Sequence, residues 1–82
     1  MNKFNYVYIL SSKVDPTRHY TGLTEDLEKH LKAHNSGKVP HTEKYRPWWI
    51  ETSVAFRFRE KAVEFEKYLK SHSGRAFASK RF

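Results

Sequence analysis

The sequence predicts an α+β domain built on a small three-stranded antiparallel sheet that is flanked by helices. Three stretches of alternating aromatic and aliphatic residues, at 4–10, 18–23 and 48–56, are typical of strands. Apolar residues at helical spacing follow the second and third stretches, so strands and helices are mixed along the chain. The 82 residues are enough for one modest core, and we expect residues 1–82 to form a single domain.

The first two strands are expected to pair antiparallel across a turn. Residues 4–10 carry apolar or aromatic side chains on both faces, which is typical of an internal strand. Asp15-Pro16 fits a turn because proline fixes φ, and residues 18–23 then form the second strand. Gly22, inside this second strand, predicts a bulge or the close approach of another group.

The first helix is predicted to begin after Thr24, a favourable N-cap, with Glu25 and Asp26 at the positive end of the helix dipole. Asn35-Ser36-Gly37 ends this helix, and a polar, basic loop follows from 37 to 47. In the third strand, simple alternation places five side chains on one face: Trp48, Ile50, Thr52, Val54 and Phe56.

A second helix is predicted over about 59–71, with its core stripe formed by Phe58, Ala62, Phe65 and Leu69. Glu66 borders this stripe, which is an unusual place for a carboxylate because glutamate is rarely buried without a partner. Ser73-Gly74 is predicted to break the helix, and residues 75–82 are expected to form a short terminal helix.

The charge of the chain indicates a polyanionic partner. The formal net charge is +7 and the sequence pI is about 9.8, which favours nucleic acid first and an anionic membrane surface second. The basic residues fall into two clusters with aromatic residues between them, a pattern that suits tracking of a phosphate backbone. The clusters are Lys38, His41, Lys44 and Arg46, and then Lys67, Lys70, Arg75, Lys80 and Arg81.

Composition excludes several other classes. The sequence has no cysteine, so it has neither a disulfide framework nor a thiolate metal site. No segment approaches the roughly 20 apolar residues of a membrane span, and the N-terminus lacks the apolar run of a signal peptide. We therefore expect a soluble cytoplasmic protein with no membrane partner.

Five motifs, in order and at similar spacing, resemble the GIY-YIG nuclease superfamily and in particular its small stand-alone bacterial branch. The motifs are Tyr6-Val7-Tyr8-Ile9-Leu10, Tyr20-Thr21-Gly22-Leu23-Thr24, Asp26-Leu27-Glu28-Lys29-His30-Leu31, His34-Asn35-Ser36-Gly37, and Ala62-Val63-Glu64-Phe65-Glu66-Lys67-Tyr68-Leu69-Lys70. Arg46-Pro47-Trp48 and Ser73-Gly74-Arg75-Ala76-Phe77 extend the resemblance over nearly the whole chain. Tyr6 stands where the family usually has glycine, and we expect it to pack in the core.

The resemblance implies an endonuclease that hydrolyses phosphodiester bonds in DNA with one divalent ion, Mg²⁺ or Mn²⁺. Tyr8 is the candidate base that deprotonates water; a free phenol has a pKa of about 10, so it needs activation. Tyr20 would hydrogen-bond the phosphate or the water, and His34 would orient or accept a proton. Glu66 falls on the family's acidic metal ligand.

His30 occupies the position where the family's helix normally carries an arginine. Histidine lacks the permanent charge and the forked donors with which arginine contacts phosphate. This departure implies weakened or pH-dependent catalysis. It also supports an alternative in which the chain is a catalytically weakened or inactive nucleic-acid-binding module derived from the nuclease.

Contact with DNA is expected from exposed basic side chains: Lys29, Lys38, His41, Lys44, Arg46, Lys70, Arg75 and Lys80. Single-stranded or branched DNA is the expected substrate, RNA is not excluded, and a monomer is favoured.

Structural roles are the alternative for several of the candidate site residues. The tyrosines suit a core, and Trp48 and Trp49 suit core and edge positions. The i, i+4 pair His30 and His34 has zinc-ligand spacing, and Glu66 has ion-pair spacing with Lys70.

Overall fold

The computed structural model describes residues 3–82, which fold as a three-stranded antiparallel sheet with four helices and so confirm the α+β prediction. The strand order is β2-β1-β3, which makes β1 the internal strand as the sequence predicts. Among the described residues, no helix is both long and apolar enough to cross a membrane. In chain order the elements are β1 (Asn5–Ser12), β2 (His19–Thr24), α1 (Leu27–Asn35), α2 (Pro40–Glu43), β3 (Trp48–Phe56), α3 (Arg59–Lys70) and α4 (His72–Arg81).

The two faces of β1 are buried in two different clusters. Val7 and Ile9 pack with Ala62 and Leu69 of α3 in what we call the Val7 cluster, and half-buried side chains of β2, β3, α3 and α4 complete it. On the other face, Tyr8 and Leu10 pack with Trp48 in what we call the Tyr8 cluster. Half-buried side chains from β2, α1, β3 and the segment before β3 surround it: Tyr20, Leu27, Leu31, Tyr45 and Ile50. Alternation along one strand thus separates an aliphatic core from a face rich in rings.

A bulge in β3 overturns the prediction that its five apolar side chains share one face. Ile9 pairs with Thr52 but the next residue, Leu10, pairs with Ile50, so Glu51 is the extra residue. An extra residue reverses the alternation on either side of it. Trp48 and Ile50 therefore belong to the Tyr8 cluster, whereas Phe56 packs against the Val7 cluster.

The ends of α1 differ in part from the sequence prediction. Asp26, and not Thr24, is the N-cap, because its carboxylate accepts the backbone N–H of Lys29 at 3.1 Å. Thr24 ends β2, and its hydroxyl accepts the backbone N–H of Asp26 at 3.0 Å. The predicted end of the helix is confirmed: Gly37 has φ 81°, a left-handed conformation that glycine adopts without strain.

The junction of α3 and α4 lies two residues before the predicted break. Ser71 closes α3 and caps α4 by accepting the backbone N–H of Gly74 at 3.1 Å. Gly74 is inside α4, where a side chain would overlap the carbonyl oxygen of Tyr68. The glycine thus allows the two helices to pack closely instead of ending the first. Phe58 is also corrected, because it is 54% exposed at the start of α3 and not part of the core stripe.

Candidate active site

The phenol of Tyr8 is buried against Gly22, and this contact explains the glycine inside β2. Tyr8 is 3% exposed, and its backbone pairs with that of Gly22. A Cβ built on Gly22 would lie 2.5 Å from Cζ of Tyr8 and 3.0 Å from Cε1. The predicted close approach of another group to Gly22 is confirmed, and that group is the ring of Tyr8.

His34 holds the Tyr8 hydroxyl from the side of α1. The imidazole is 2% exposed, and its Nε2 lies 3.1 Å from the Tyr8 Oη. Its other nitrogen, Nδ1, lies 2.8 Å from the hydroxyl oxygen of Thr42. One phenol, one imidazole and one hydroxyl thus form a continuous buried chain of hydrogen bonds.

The partner of the Thr42 hydroxyl sets the direction of this chain. The Thr42 hydroxyl donates to the carbonyl oxygen of Val39 at 3.2 Å, and a carbonyl oxygen can only accept. Thr42 Oγ1 therefore accepts from Nδ1–H of His34. The neutral imidazole then has its lone pair on Nε2, where it accepts the hydroxyl proton of Tyr8.

Thr42 is a site residue that the sequence did not predict, since it lies in the segment that we expected to be a polar loop. This segment contains the one-turn helix α2, and Thr42 is its buried residue at 1% exposure. The indole N–H of Trp48 donates to the Thr42 carbonyl at 2.8 Å and so anchors the turn to the sheet. Pro40 at the first helical position is the one sequence signal for this turn.

The rings of Tyr20 and His30 lie beside those of Tyr8 and His34, and we call these four residues the tyrosine cluster. The ring of Tyr20 lies 4.8 Å from that of His34 and 6.5 Å from that of Tyr8. His30 is exposed, one helical turn before His34, and its ring lies 6.4 Å from that of Tyr8. The structure therefore brings together four of the five predicted catalytic residues, with His30 at the solvent side.

Burial shifts both titrating groups of the hydrogen-bonded pair toward their neutral forms. Burial raises the pKa of Tyr8 to about 12, and the nearby charges of Tyr20 and then Glu66 act in the same direction. Burial also lowers the pKa of His34 below its ordinary value, assisted by the charge of neighbouring His30. At neutral pH the pair is therefore a phenol donating to a neutral imidazole.

Glu66 lies on α3, and two observations describe its surroundings. Its side chain is 21% exposed, which agrees with the predicted position at the border of the buried face. Its carboxylate pairs with Lys70 Nζ at 3.3 Å, the ion pair that sequence analysis gave as the structural alternative. Its negative charge contributes to the raised pKa of Tyr8, so the carboxylate acts on the tyrosine cluster through space.

The donor set fits a hard divalent cation better than zinc. Among residues 3–82, no three or more His, Asp or Glu side chains come together as a ligand group. His30 and His34 thus have no third protein ligand in the described chain, and Nε2 of His34 is already engaged by Tyr8. Mg²⁺ is commonly held by one or two carboxylates while waters and substrate phosphates fill its other positions. A site with Glu66 as its one carboxylate ligand fits that pattern.

The predicted DNA-contacting side chains are exposed and lie on two parts of the molecule. Lys29, Lys38, His41, Lys44 and Arg46 belong to α1, α2 and the segments that follow them, whereas Lys70, Arg75 and Lys80 belong to α3 and α4. Lys29 and Lys38 line a shallow hollow of about 540 Å³ beside α1. Trp49 is exposed and Trp48 is buried, as the sequence predicts.

The three-stranded antiparallel sheet with its flanking helices is consistent with a nuclease-type domain, and comparison with known families agrees. The sequence matches the family described as the GIY-YIG catalytic domain over residues 4–80, so the chain belongs to the GIY-YIG family. The resemblance inferred from the motifs is thereby confirmed.

The chain is also similar to several proteins of the UPF0213 group. One from Halalkalibacterium halodurans is 36% identical over 72 residues, which cover 87% of this chain and 74% of that protein. One from Clostridium perfringens is 39% identical over 67 residues, covering 80% of this chain and 70% of the relative. One from Haloquadratum walsbyi is 31% identical over 74 residues, covering 89% and 81%. These relatives are small proteins of similar length.

Proposed function

We propose that the protein is a metal-dependent endonuclease that hydrolyses phosphodiester bonds in DNA, with Tyr8 and His34 activating the attacking water. The observation that carries the proposal is the oriented chain from Tyr8 through His34 to Thr42, at 3.1 and 2.8 Å. A buried polar chain of this length costs stability unless every member is satisfied, and the shifted pKa values of its Tyr–His pair favour a chemical role. Family membership supports the same reaction class.

In the proposed mechanism Tyr8 relays a proton from the attacking water, and His34 is the final acceptor. With a pKa raised to about 12, Tyr8 is a neutral phenol at neutral pH and is a poor base by itself. As water attacks phosphorus, Tyr8 Oη takes the water proton and passes its own proton to Nε2 of His34. The imidazolium that forms keeps its Nδ1–H on the Thr42 hydroxyl. The leaving oxygen takes a proton from solvent.

Two further residues have supporting roles in this proposal. Tyr20, whose ring lies 4.8 Å from that of His34, donates its hydroxyl to the phosphate or the water. Glu66 holds Mg²⁺ or Mn²⁺, which when bound supplies positive charge against the charge that develops on the phosphate. His30 stands at the exposed edge of the cluster, where the family's arginine would contact phosphate.

The decisive experiment separates the metal role of Glu66 from its ion pair. We expect Glu66→Gln to abolish cleavage of single-stranded and branched DNA in Mg²⁺ while leaving DNA binding and the melting temperature nearly unchanged. Lys70→Gln removes the same ion pair but keeps the carboxylate, so it should weaken DNA binding and still cleave at saturating DNA. Glu64→Gln is the matched charge control on the same helix. Cleavage by Glu66→Gln at the wild-type rate would sink the proposal.

The second candidate is a nucleic-acid-binding module without catalysis, and the exposed histidine in the arginine position favours it. This candidate predicts salt-sensitive DNA binding with no cleavage in Mg²⁺ or Mn²⁺ at any pH. His30→Arg distinguishes the two. A cleavage rate at least about tenfold above wild type would indicate that only this contact limits an intact site, whereas no cleavage before or after the change supports the binding module.

A further inference from the structure

A groove of about 800 Å³ runs between the edge strand β2 and the helices α3 and α4. Its β2 side includes Arg18 and Tyr20, and its helical side includes Lys70, Arg75 and Phe82. None of these residues belongs to the buried hydrogen-bond chain from Tyr8 to Thr42. Apart from Tyr20, the groove is therefore a surface to which the proposed mechanism assigns no role.

The charge of the groove suits a polyanion. Arg18 and, on the opposite wall, Lys70 and Arg75 are among its lining residues. Arg18 also lies 3.6 Å from Asp15, and Lys70 lies 3.3 Å from Glu66. The one acidic side chain among its lining residues, Glu51, lies 3.1 Å from Nε2 of His19. Cations on both walls match a single strand, which carries one phosphate per 3.4 Å or so along its backbone.

The groove also meets the candidate active site at two points. Tyr20 lines the groove, and its ring packs 4.8 Å from that of His34. Lys70 lines the groove as well, and its ammonium lies 3.3 Å from the carboxylate of Glu66. A chain lying in the groove would therefore pass Tyr20 and the Glu66–Lys70 pair on its way to the tyrosine cluster.

We propose that this groove binds the sugar-phosphate backbone of a single DNA strand and leads it to the active site, an inference that rests on the proposed nuclease function. The aromatic content favours a single strand over a duplex. Phe82, at the helical end of the groove, is 43% exposed and offers a ring face on which an unpaired base can stack. The bases of a duplex are already stacked on one another and have no face to offer.

The test compares two arginines of the same helix. Arg75 lines the groove, whereas Arg81 is exposed on α4 outside it. Binding of a fluorescent single-stranded DNA of about 12 nucleotides is measured by anisotropy, in chelator so that no cleavage occurs, over a series of salt concentrations. We expect Arg75→Gln to weaken binding about fivefold and to reduce the slope of log affinity against log salt by about 0.7. Arg81→Gln, which removes the same charge outside the groove, should have a clearly smaller effect on both values.

A second variant guards against a local effect on α4. Arg18→Gln, on the opposite wall, should reproduce the loss seen with Arg75→Gln. Equal behaviour of Arg75→Gln and Arg81→Gln would overturn the groove assignment, and so would tighter binding of duplex DNA with the same dependence on Arg75. If wild-type protein cleaves DNA and the two arginine variants are equal, only the groove fails. If wild-type protein cleaves nothing but Arg75→Gln reduces the slope of log affinity against log salt, only the proposed function fails.

Discussion

The two faces of β1 are equally buried, yet they differ in what they bury. Val7 and Ile9 face α3 and α4 and pack there in an apolar cluster with Ala62 and Leu69. Tyr8, between them in sequence, faces α1 and α2 and meets an imidazole. Both faces are well packed, so burial alone does not identify the functional face.

The difference lies in how the polar atoms are satisfied. Within residues 3–82, no buried side-chain nitrogen or oxygen lacks a hydrogen-bond partner. The Tyr8 face can therefore hold a phenol, an imidazole and a hydroxyl without the cost of unpaired polar groups. The Val7 face stabilises the fold through apolar burial, whereas the Tyr8 face uses part of its interior to hold a chain of hydrogen bonds in one orientation. Variants on each face should separate these roles.

The largest effect is expected from Tyr8→Phe. This variant removes the hydroxyl that relays the proton, and we expect a loss of about 10²- to 10⁴-fold in the cleavage rate, the usual contribution of acid–base catalysis. Tyr6→Phe is the matched control, since Tyr6 is half-buried two residues away on the same strand. A single-turnover cleavage assay with both variants measures the difference, and comparable rates for the two would contradict the relay.

On the opposite face, Leu69→Ala should affect stability instead of chemistry. Leu69 is buried in the Val7 cluster, and removing such a side chain costs about 2–5 kcal/mol of unfolding free energy. Urea denaturation gives the loss, and a cleavage assay at a temperature where the variant is fully folded should return nearly the wild-type rate. A specific loss of rate in the folded variant would show that the two faces are coupled.

A smaller effect is expected from Thr42→Val, which keeps the shape of the side chain but leaves Nδ1–H of His34 without its acceptor. The expected cost is about 1–3 kcal/mol in stability, together with a lower cleavage rate, because the imidazole no longer has a fixed tautomer. Thr42→Ser restores the hydroxyl and should recover most of the rate. The pH profile of the cleavage rate is the second readout, and an unchanged profile in Thr42→Val would remove Thr42 from the mechanism.

The smallest effect is the dependence of stability on pH. The pKa of His34 is lower in the folded protein than its ordinary value of about 6.5, so folding favours the neutral form. Its contribution to stability is present above about pH 6.5 and is lost as the pH falls through the lower folded value. Urea denaturation at about pH 7 and about pH 5 should show this loss in wild type and in the exposed control His72→Gln. The loss should shrink in His34→Gln.

Much of the fold follows from local signals in the sequence. The internal position of β1, the close approach at Gly22, the end of α1 at Gly37 and the border position of Glu66 were all predicted and are all observed. Each depends on alternation, helical spacing or glycine conformation, which are properties of neighbouring residues. The motif order was sufficient to predict the family.

The errors share a different cause. Glu51 becomes an extra residue only when β3 is registered against β1, and Gly74 becomes a packing glycine only when α4 meets α3. Thr42 looked like part of a basic loop, because nothing near it in sequence shows that it faces His34, eight residues earlier. Interactions between elements decide such positions, and local pattern carries no information on register.

The sequence by itself determined that Tyr8, Tyr20 and His34 belong to one motif order and that the chain carries excess positive charge. Only the tertiary structure decided that the Tyr8 hydroxyl meets Nε2 of His34, 26 residues away, and that Thr42 turns that nitrogen into an acceptor. The physical reason is that a hydrogen bond's direction depends on every partner around it. Those partners come from β1, α1 and α2, which packing alone brings together.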